Sequence, residues 1–153
     1  MSHLVVRQAA LADLEVVTDL FDQYRQFQGK GADLEACRAF LRDRFNHGES
    51  VIFIAMSTRQ PQPIGFAQLY PSFSSTALAR VFILNDLFVA PAGRRMGVAS
   101  ALLLAVESHA WSCGACRVSL NVARSNVPAQ DLYRARGWVA DQEYFTFHRF
   151  AAA

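Results

Sequence analysis

The chain opens on a short β-branched run, Leu4-Val5-Val6-Arg7, which predicts a strand at 4–7. From Leu11 the apolar positions Leu14, Val17, Leu20, Phe21 and Tyr24 recur at helical spacing until Gly29 stops them. A second helix is expected from Asp33, its N-cap, with Leu34, Cys37, Phe40, Leu41 and Phe45 on one face and Gly48 at its end. The period then shortens to that of strands. Residues 51–55 read as a buried strand, Gln60-Pro61-Gln62-Pro63 as a turn, and 64–70 and 80–89 as the next two strands. Pro91-Ala92-Gly93 breaks the last of these, and 98–111 follows as a strongly apolar helix. Residues 117–122 predict another strand, 128–136 a short helix with Pro128 at a first helical position, and 144–150 a final strand. The order strand-helix-helix-strand-strand-strand-helix-strand-helix-strand predicts an α+β fold, a mixed and mostly antiparallel sheet flanked by helices.

Length and composition narrow the class. A chain of 153 residues, 52% of them hydrophobic, fits one domain over 1–150 with a frayed tail at 151–153. Twelve Phe residues exclude a disordered chain. Apolar runs such as 101–106 are far shorter than the roughly 20 residues that cross a bilayer. The start, Met1-Ser2-His3-Leu4, lacks a signal-peptide pattern, so a cytoplasmic protein with no membrane partner is expected. The net charge of +2 does not call for a nucleic-acid partner, and the arginines are scattered. Lys30 is the only lysine and sits in a Gly-Lys-Gly loop, which leaves no good candidate for lysine-based covalent chemistry. Cys113 and Cys116 close a helix before a strand and have no second pair, so they read as incidental loop cysteines. His3, His47, His109 and His148 show no ligand spacing, and no metal is expected.

One segment concentrates chemistry. After Leu87-Phe88-Val89 and Pro91, a loop carries Arg94, Arg95, Met96 and Gly97 directly into a helix that begins Val98-Ala99-Ser100. Consecutive amides at a helix start attract anions, and two arginines add a cationic rim, so the loop suits a diphosphate. It is neither a Walker loop nor the dinucleotide fingerprint. A plain strand-to-helix turn with solvated arginines accounts for the loop equally well.

Arg94-x-x-Gly97-x-Ala99, with Leu87-Phe88-Val89-x-Pro91 before it and Leu102-Leu103 after it, resembles the coenzyme A loop of the Gcn5-related N-acetyltransferases. Asn126-x-x-Ala129-x-x-Leu132-Tyr133-x-x-x-Gly137-Trp138 resembles that family's downstream segment. Both stand in the family's order and spacing, and the likeness covers nearly the whole chain. Residues 64–70 together with Asn85-Asp86-Leu87-Phe88-Val89 look like the diamine and histone/polyamine-type members. The diamine enzymes have an acidic pair where this chain has Asn85 and Asp86, which weakens polyamine specificity.

The resemblance implies direct acetyl transfer from acetyl-CoA, the cosubstrate, to a primary amine of a small molecule or protein. It implies that the backbone of Leu87, Phe88 and Val89 pairs with pantetheine in an open seam between the strands at 84–89 and 117–122. Arg94, Arg95, Met96, Gly97, Val98, Ala99 and Ser100 would hold the diphosphate, and Asn126 would touch the coenzyme. Tyr133 would protonate the leaving thiolate. Asp86 would attract a cationic acceptor and relay its proton, with Asn85 and Tyr24 flanking that acceptor. Homodimerisation is expected, with 144–150 contributing. The alternative is a non-catalytic acyl-CoA sensor built on the same loop.

Overall fold

A computed structural model describes residues 3–153, which divide between Asn121 and Val122 into two compact units. The first unit runs β1 (Leu4–Gln8), a 3-10 turn (Leu11–Asp13), α1 (Leu14–Phe27), α2 (Leu34–His47), β2 (Val51–Ser57), β3 (Pro63–Ser74) and β4 (Ala79–Val89). A second 3-10 turn (Pro91–Gly93), α3 (Val98–Ser112) and β5 (Arg117–Ser119) complete it. The strands lie side by side in the order β1-β2-β3-β4-β5. All neighbours are antiparallel except β4 and β5, which are parallel. The α+β class and the mixed sheet are as the pattern predicts. Among the described residues, no helix is long and apolar enough to cross a membrane.

Local chemistry sets the helix ends. Asp33 Oδ1 accepts from the Ala36 amide at 3.1 Å, and Gly48 closes α2. Buried Asp22 accepts from the Asp33 amide at 2.8 Å, which ties α1 to the start of α2. Ahead of α1, Arg7 grips Asp13 through two hydrogen bonds of 2.9 and 2.8 Å, and the Ala10 amide donates to the same carboxylate at 2.8 Å. The Arg7 bond, more than any other contact, holds the Asp13 carboxyl down at about 2. A carboxyl held down in the folded state stabilises the fold above its unfolded value of roughly 3.9 and loses that contribution as pH falls toward 2. Asp13→Asn is therefore expected to lower the urea midpoint at neutral pH and to flatten its acid dependence between about 4 and 2. Parallel midpoint-versus-pH curves for the two proteins would remove Asp13 from this role.

The sheet has two apolar faces. On one, Val17, Leu20, Phe21 and Leu41 of α1 and α2 pack with Ile52, Ile54, Phe66 and Phe88. On the other, the Phe53 and Phe82 rings each lie 5.6 Å from the His109 ring of α3. Gly65 makes the β3–α3 approach possible. A Cβ there would lie 2.9 Å from the Phe88 carbonyl oxygen and 2.9 Å from Val98 Cγ1, so any side chain forces the strand pair and helix apart.

A bulge in β4 decides which side chains share a face. Gln68 pairs with Asp86 but Leu69 pairs with Leu84, which leaves Asn85 without a partner in β3. Phe82, before the bulge, meets α3. Phe88, at an even spacing beyond it, meets Tyr24 and Phe27 of α1 instead. The extra residue inverts the alternation and places Asp86 on the α1 side.

Two expected strands differ. The strand expected at 117–122 pairs only as Val81 with Arg117, Phe82 with Val118 and Ile83 with Ser119. It stops just short of the bulge, where a bulged strand bends away from a straight partner. The final strand expected at 144–150 is a correction: those residues form no strand. Tyr144, Phe145, Phe147 and Phe150 alternate in part as strand residues do, yet all four are exposed. Alternation supplies an amphipathic ribbon, but a strand also needs a hydrogen-bonded neighbour.

The second unit carries α4 (Val127–Ala135). Asn126 caps it, Oδ1 accepting from the Ala129 amide at 3.3 Å, with Pro128 in the first turn. The Trp138 amide donates to the Tyr133 carbonyl at 2.9 Å and closes the helix end.

Candidate active site

The site grows from the way β4 hands over to α3. The Ala90 amide donates to the Ile64 carbonyl at 2.8 Å, fixing the strand end before the Pro91–Gly93 turn. Arg94 is extended, whereas Arg95 (φ 61) and Gly97 (φ 76) are left-handed. Space does not require glycine at 97, since a Cβ there would meet nothing within 4 Å; the positive φ does. A left-handed arginine is rarer and costs about 1–3 kcal/mol, so the loop shape is held against its local preference.

This shape turns amides toward one point. Gly97 is the N-cap of α3 and supplies no side-chain hydrogen bond, and the first turn of α3 contains no acid. The amides at the helix start therefore have no side-chain acceptor of their own, and the helix dipole adds to them. Arg94, Arg95 and Met96 are exposed around this start, Ala99 and Ser100 are half-buried, and Val98 is buried against the sheet. The Arg94 guanidinium lies 6.0 Å from the centre of the Phe27 ring. Between them is a pocket of about 230 Å3 lined by Gln23, Gln26, Phe27, Phe88, Pro91 and Arg94.

The edge of β4 leads into that loop. Its pairing with β5 ends at Ile83 and Ser119, so the edge of Leu84 to Val89 that faces away from β3 has no strand neighbour among the described residues. Leu87, Phe88 and Val89 thus offer backbone donors and acceptors to an extended ligand, as an unpaired strand edge does.

Behind this edge, Asp86 is only 4% exposed. Gln68 Nε2 donates to its Oδ2 at 2.7 Å and Asn85 Nδ2 to its Oδ1 at 3.1 Å. The Tyr24 hydroxyl is a third donor. Burial pushes the Asp86 carboxyl up, and these three hydrogen bonds pull against that. Tyr70, on the same strand as Gln68, is pushed up to about 12, by burial first and by the Asp86 charge second. Gln68 Oε1 is buried with no hydrogen-bond partner.

Tyr24, Asn85 and Asp86 thus form one hydrogen-bonded cluster, and residues 87–100 form one continuous run beside it. Asn126 and Tyr133 lie in the second unit. The Asn126 side-chain oxygen Oδ1 is engaged in capping α4. Tyr133 is half-buried with its ring 6.0 Å from that of Trp138, and burial raises its hydroxyl above the usual phenol range. Sequence reasoning missed Gln68 and Tyr70. The available signal was Gln68 itself, a polar residue inside the apolar run at 64–69, because a buried amide calls for a partner. Among the described residues, no group of three or more His, Cys, Asp or Glu side chains could hold a metal ion.

In the first unit, a strand edge opens beside a helix start without a side-chain cap, and a buried carboxylate lies behind it. The chain belongs to the acetyltransferase (GNAT) family, whose sequence model matches residues 14–138, and it is an N-acetyltransferase of that family. It is similar to YhfO of Bacillus subtilis strain 168, an uncharacterized N-acetyltransferase, with 41% identity over 136 residues, 89% of this chain and 90% of the relative. The crystal structure of a probable acetyltransferase shares 38% identity with a TM-score of 0.92 and covers 97% of this chain and 99% of its own. AAC(6')-Iy, an aminoglycoside N-acetyltransferase solved with the bisubstrate analogue CoA-S-monomethyl-acetylneamine, shares 26% identity. Its TM-score is 0.80, over 99% of this chain and 100% of that one.

Proposed function

We propose that this chain transfers acetyl directly from acetyl-CoA to a primary amine of a small molecule, polyamine-like, amino sugar or amino acid, or of a protein. The observation that carries the reading is the unpaired edge of β4 running into the uncapped start of α3. Acetyl-CoA supplies an acetyl group already activated as a thioester. Backbone groups of Leu87, Phe88 and Val89 hold its pantetheine arm and polarise the carbonyl. The amides of Arg95 to Ser100 hold the diphosphate, with the Arg94 and Arg95 guanidiniums at its rim. Asn126 adds a coenzyme contact, and Tyr133, kept protonated by burial, donates to the departing sulfur.

The acceptor enters on the α1 side, beside Tyr24, Asn85 and Asp86, where the buried carboxylate attracts a cationic amine and relays its proton. A carboxylate next to an amide, rather than next to a second acid, favours an acceptor with one cationic amine at the reacting end. The family match at 14–138 spans both compact units, which supports one catalytic domain over 1–150. Exposed Tyr144, Phe145, Phe147 and Phe150 support a homodimer that covers them.

Calorimetric titration with coenzyme A and with pantetheine, which lacks the diphosphate, tests the coenzyme half of the reading. Coenzyme A, which adds the diphosphate and the adenine nucleotide, is expected to bind more tightly by about tenfold or more, of which the helix start and its dipole supply about 0.3–2 kcal/mol. Equal affinity for the two would mean that the loop is only a turn.

A further inference from the structure

The depth of Asp86 sets a problem for any acceptor amine, because a soluble amine reaches this carboxylate only through a group bonded to it. Of its three donors, Gln68 is fully buried. Asn85 is exposed, but an amide neither gains nor loses a proton in the working pH range. Tyr24 is half-buried, and a phenol accepts a hydrogen bond on its oxygen while donating its own proton. Its ring is held edge-on to Phe66 at 5.9 Å and against Phe88 at 6.0 Å, so it lies over β3 and β4 on the α1 face of the sheet. Gln68 makes one bond, to Asp86, and its other amide atom has no partner.

Resting on the N-acetyl-transfer reading above, we propose that Tyr24 is the catalytic group that meets the acceptor amine and hands its proton to Asp86, and that Gln68 is the positioning residue for Asp86. The cationic acceptor first releases its ammonium proton to solvent; as the neutral nitrogen then bonds to the acetyl carbon and the carbon–sulfur bond breaks, the nitrogen loses a further proton to Tyr24 Oη. Tyr24 passes its phenolic proton to Asp86, so the phenol is neutral again and the carboxylate becomes a carboxylic acid. The electron pair of the broken bond leaves on sulfur, which takes the phenolic proton of Tyr133, and Tyr133 regains one from solvent. Asp86 returns its proton to solvent through the same hydroxyl. Burial raises the affinity of Asp86 for the proton it must take. The other titratable groups around it are Tyr70 from β3 and, acting on Tyr70, Arg44 from α2.

Two readouts test this. In the free protein, the Asp86 carboxyl is titrated by carbon NMR in the wild type, in Tyr24→Phe and in Gln68→Met, which keeps the volume of the buried side chain. Each variant removes a hydrogen bond that lowers the Asp86 pKa, so both midpoints are expected to rise. In acetyl transfer, Tyr24→Phe is expected to lose about 10²-fold in kcat at unchanged acetyl-CoA affinity. Gln68→Met should keep most of its kcat at high pH and move its acidic limb upward. A Tyr24→Phe protein with wild-type kcat and an unmoved Asp86 midpoint overturns this inference alone. A wild type that neither binds acetyl-CoA nor releases its thiol overturns the transferase reading and this inference with it.

Discussion

Asp86→Asn is expected to lower kcat by about 10²-fold or more while the protein stays folded. The fold survives because of an unusual allowance beside the carboxylate. Gln68 Oε1 is buried with no partner, so a half-turn of the Gln68 amide lets that oxygen accept from the new side-chain N–H. The site keeps its packing and its count of unpartnered buried amide atoms, Gln68 Nε2 taking the place of Oε1, and loses its proton acceptor. The pH sign follows from the direction of the shift. Burial raises the Asp86 carboxyl, and only the ionised form can take a proton, so wild-type kcat/KM falls as pH drops through that raised value. The acidic limb therefore lies above the ordinary carboxyl range in the wild type and is absent in the variant. Full activity in Asp86→Asn, or an unaltered acidic limb, would exclude Asp86 from the proton path.

Tyr133→Phe carries the second large effect, a loss of about 10²- to 10⁴-fold in kcat with little change in acetyl-CoA affinity. Burial raises the Tyr133 hydroxyl, which keeps it protonated through neutral and mildly alkaline pH, the state a donor to a thiolate requires. Deleting one oxygen leaves the ring against Trp138 and the end of α4 in place. Any loss is therefore chemical rather than structural, and equal thermal midpoints for variant and wild type should accompany it. An unchanged turnover would assign Tyr133 to packing alone.

The features legible in the chain are those set by local chemistry. Asp33 and Gly48 bound α2 because a capping carboxylate and a closing glycine act within one turn. The Arg94 to Ser100 run was readable because its features lie in a continuous stretch. What stayed hidden depends on neighbours distant in sequence. The bulge at Asn85 is a register event between β3 and β4, and it alone moves Asp86 to the face of Tyr24. Gln68 therefore read as one more position in an apolar strand. At 144–150 the aromatic alternation was visible, but no residue in that stretch reports whether a strand lies alongside. The strand expected at 117–122 ends its pairing at Ser119, opposite Ile83 and just before the bulge at Asn85, a register event that its own residues do not report.

Whether acetyl reaches an amine is read from the products of a single incubation. The protein is incubated with acetyl-CoA and, in turn, a polyamine, an amino sugar, an amino acid and a lysine-containing peptide, while free thiol and the mass of each amine are followed. Thiol release that requires one of these amines, matched mole for mole by its acetylated form, is the predicted result. Tight coenzyme binding with no amine-dependent thiol release and no acetylated product from any of the four would contradict it and leave an acyl-CoA-binding module in its place.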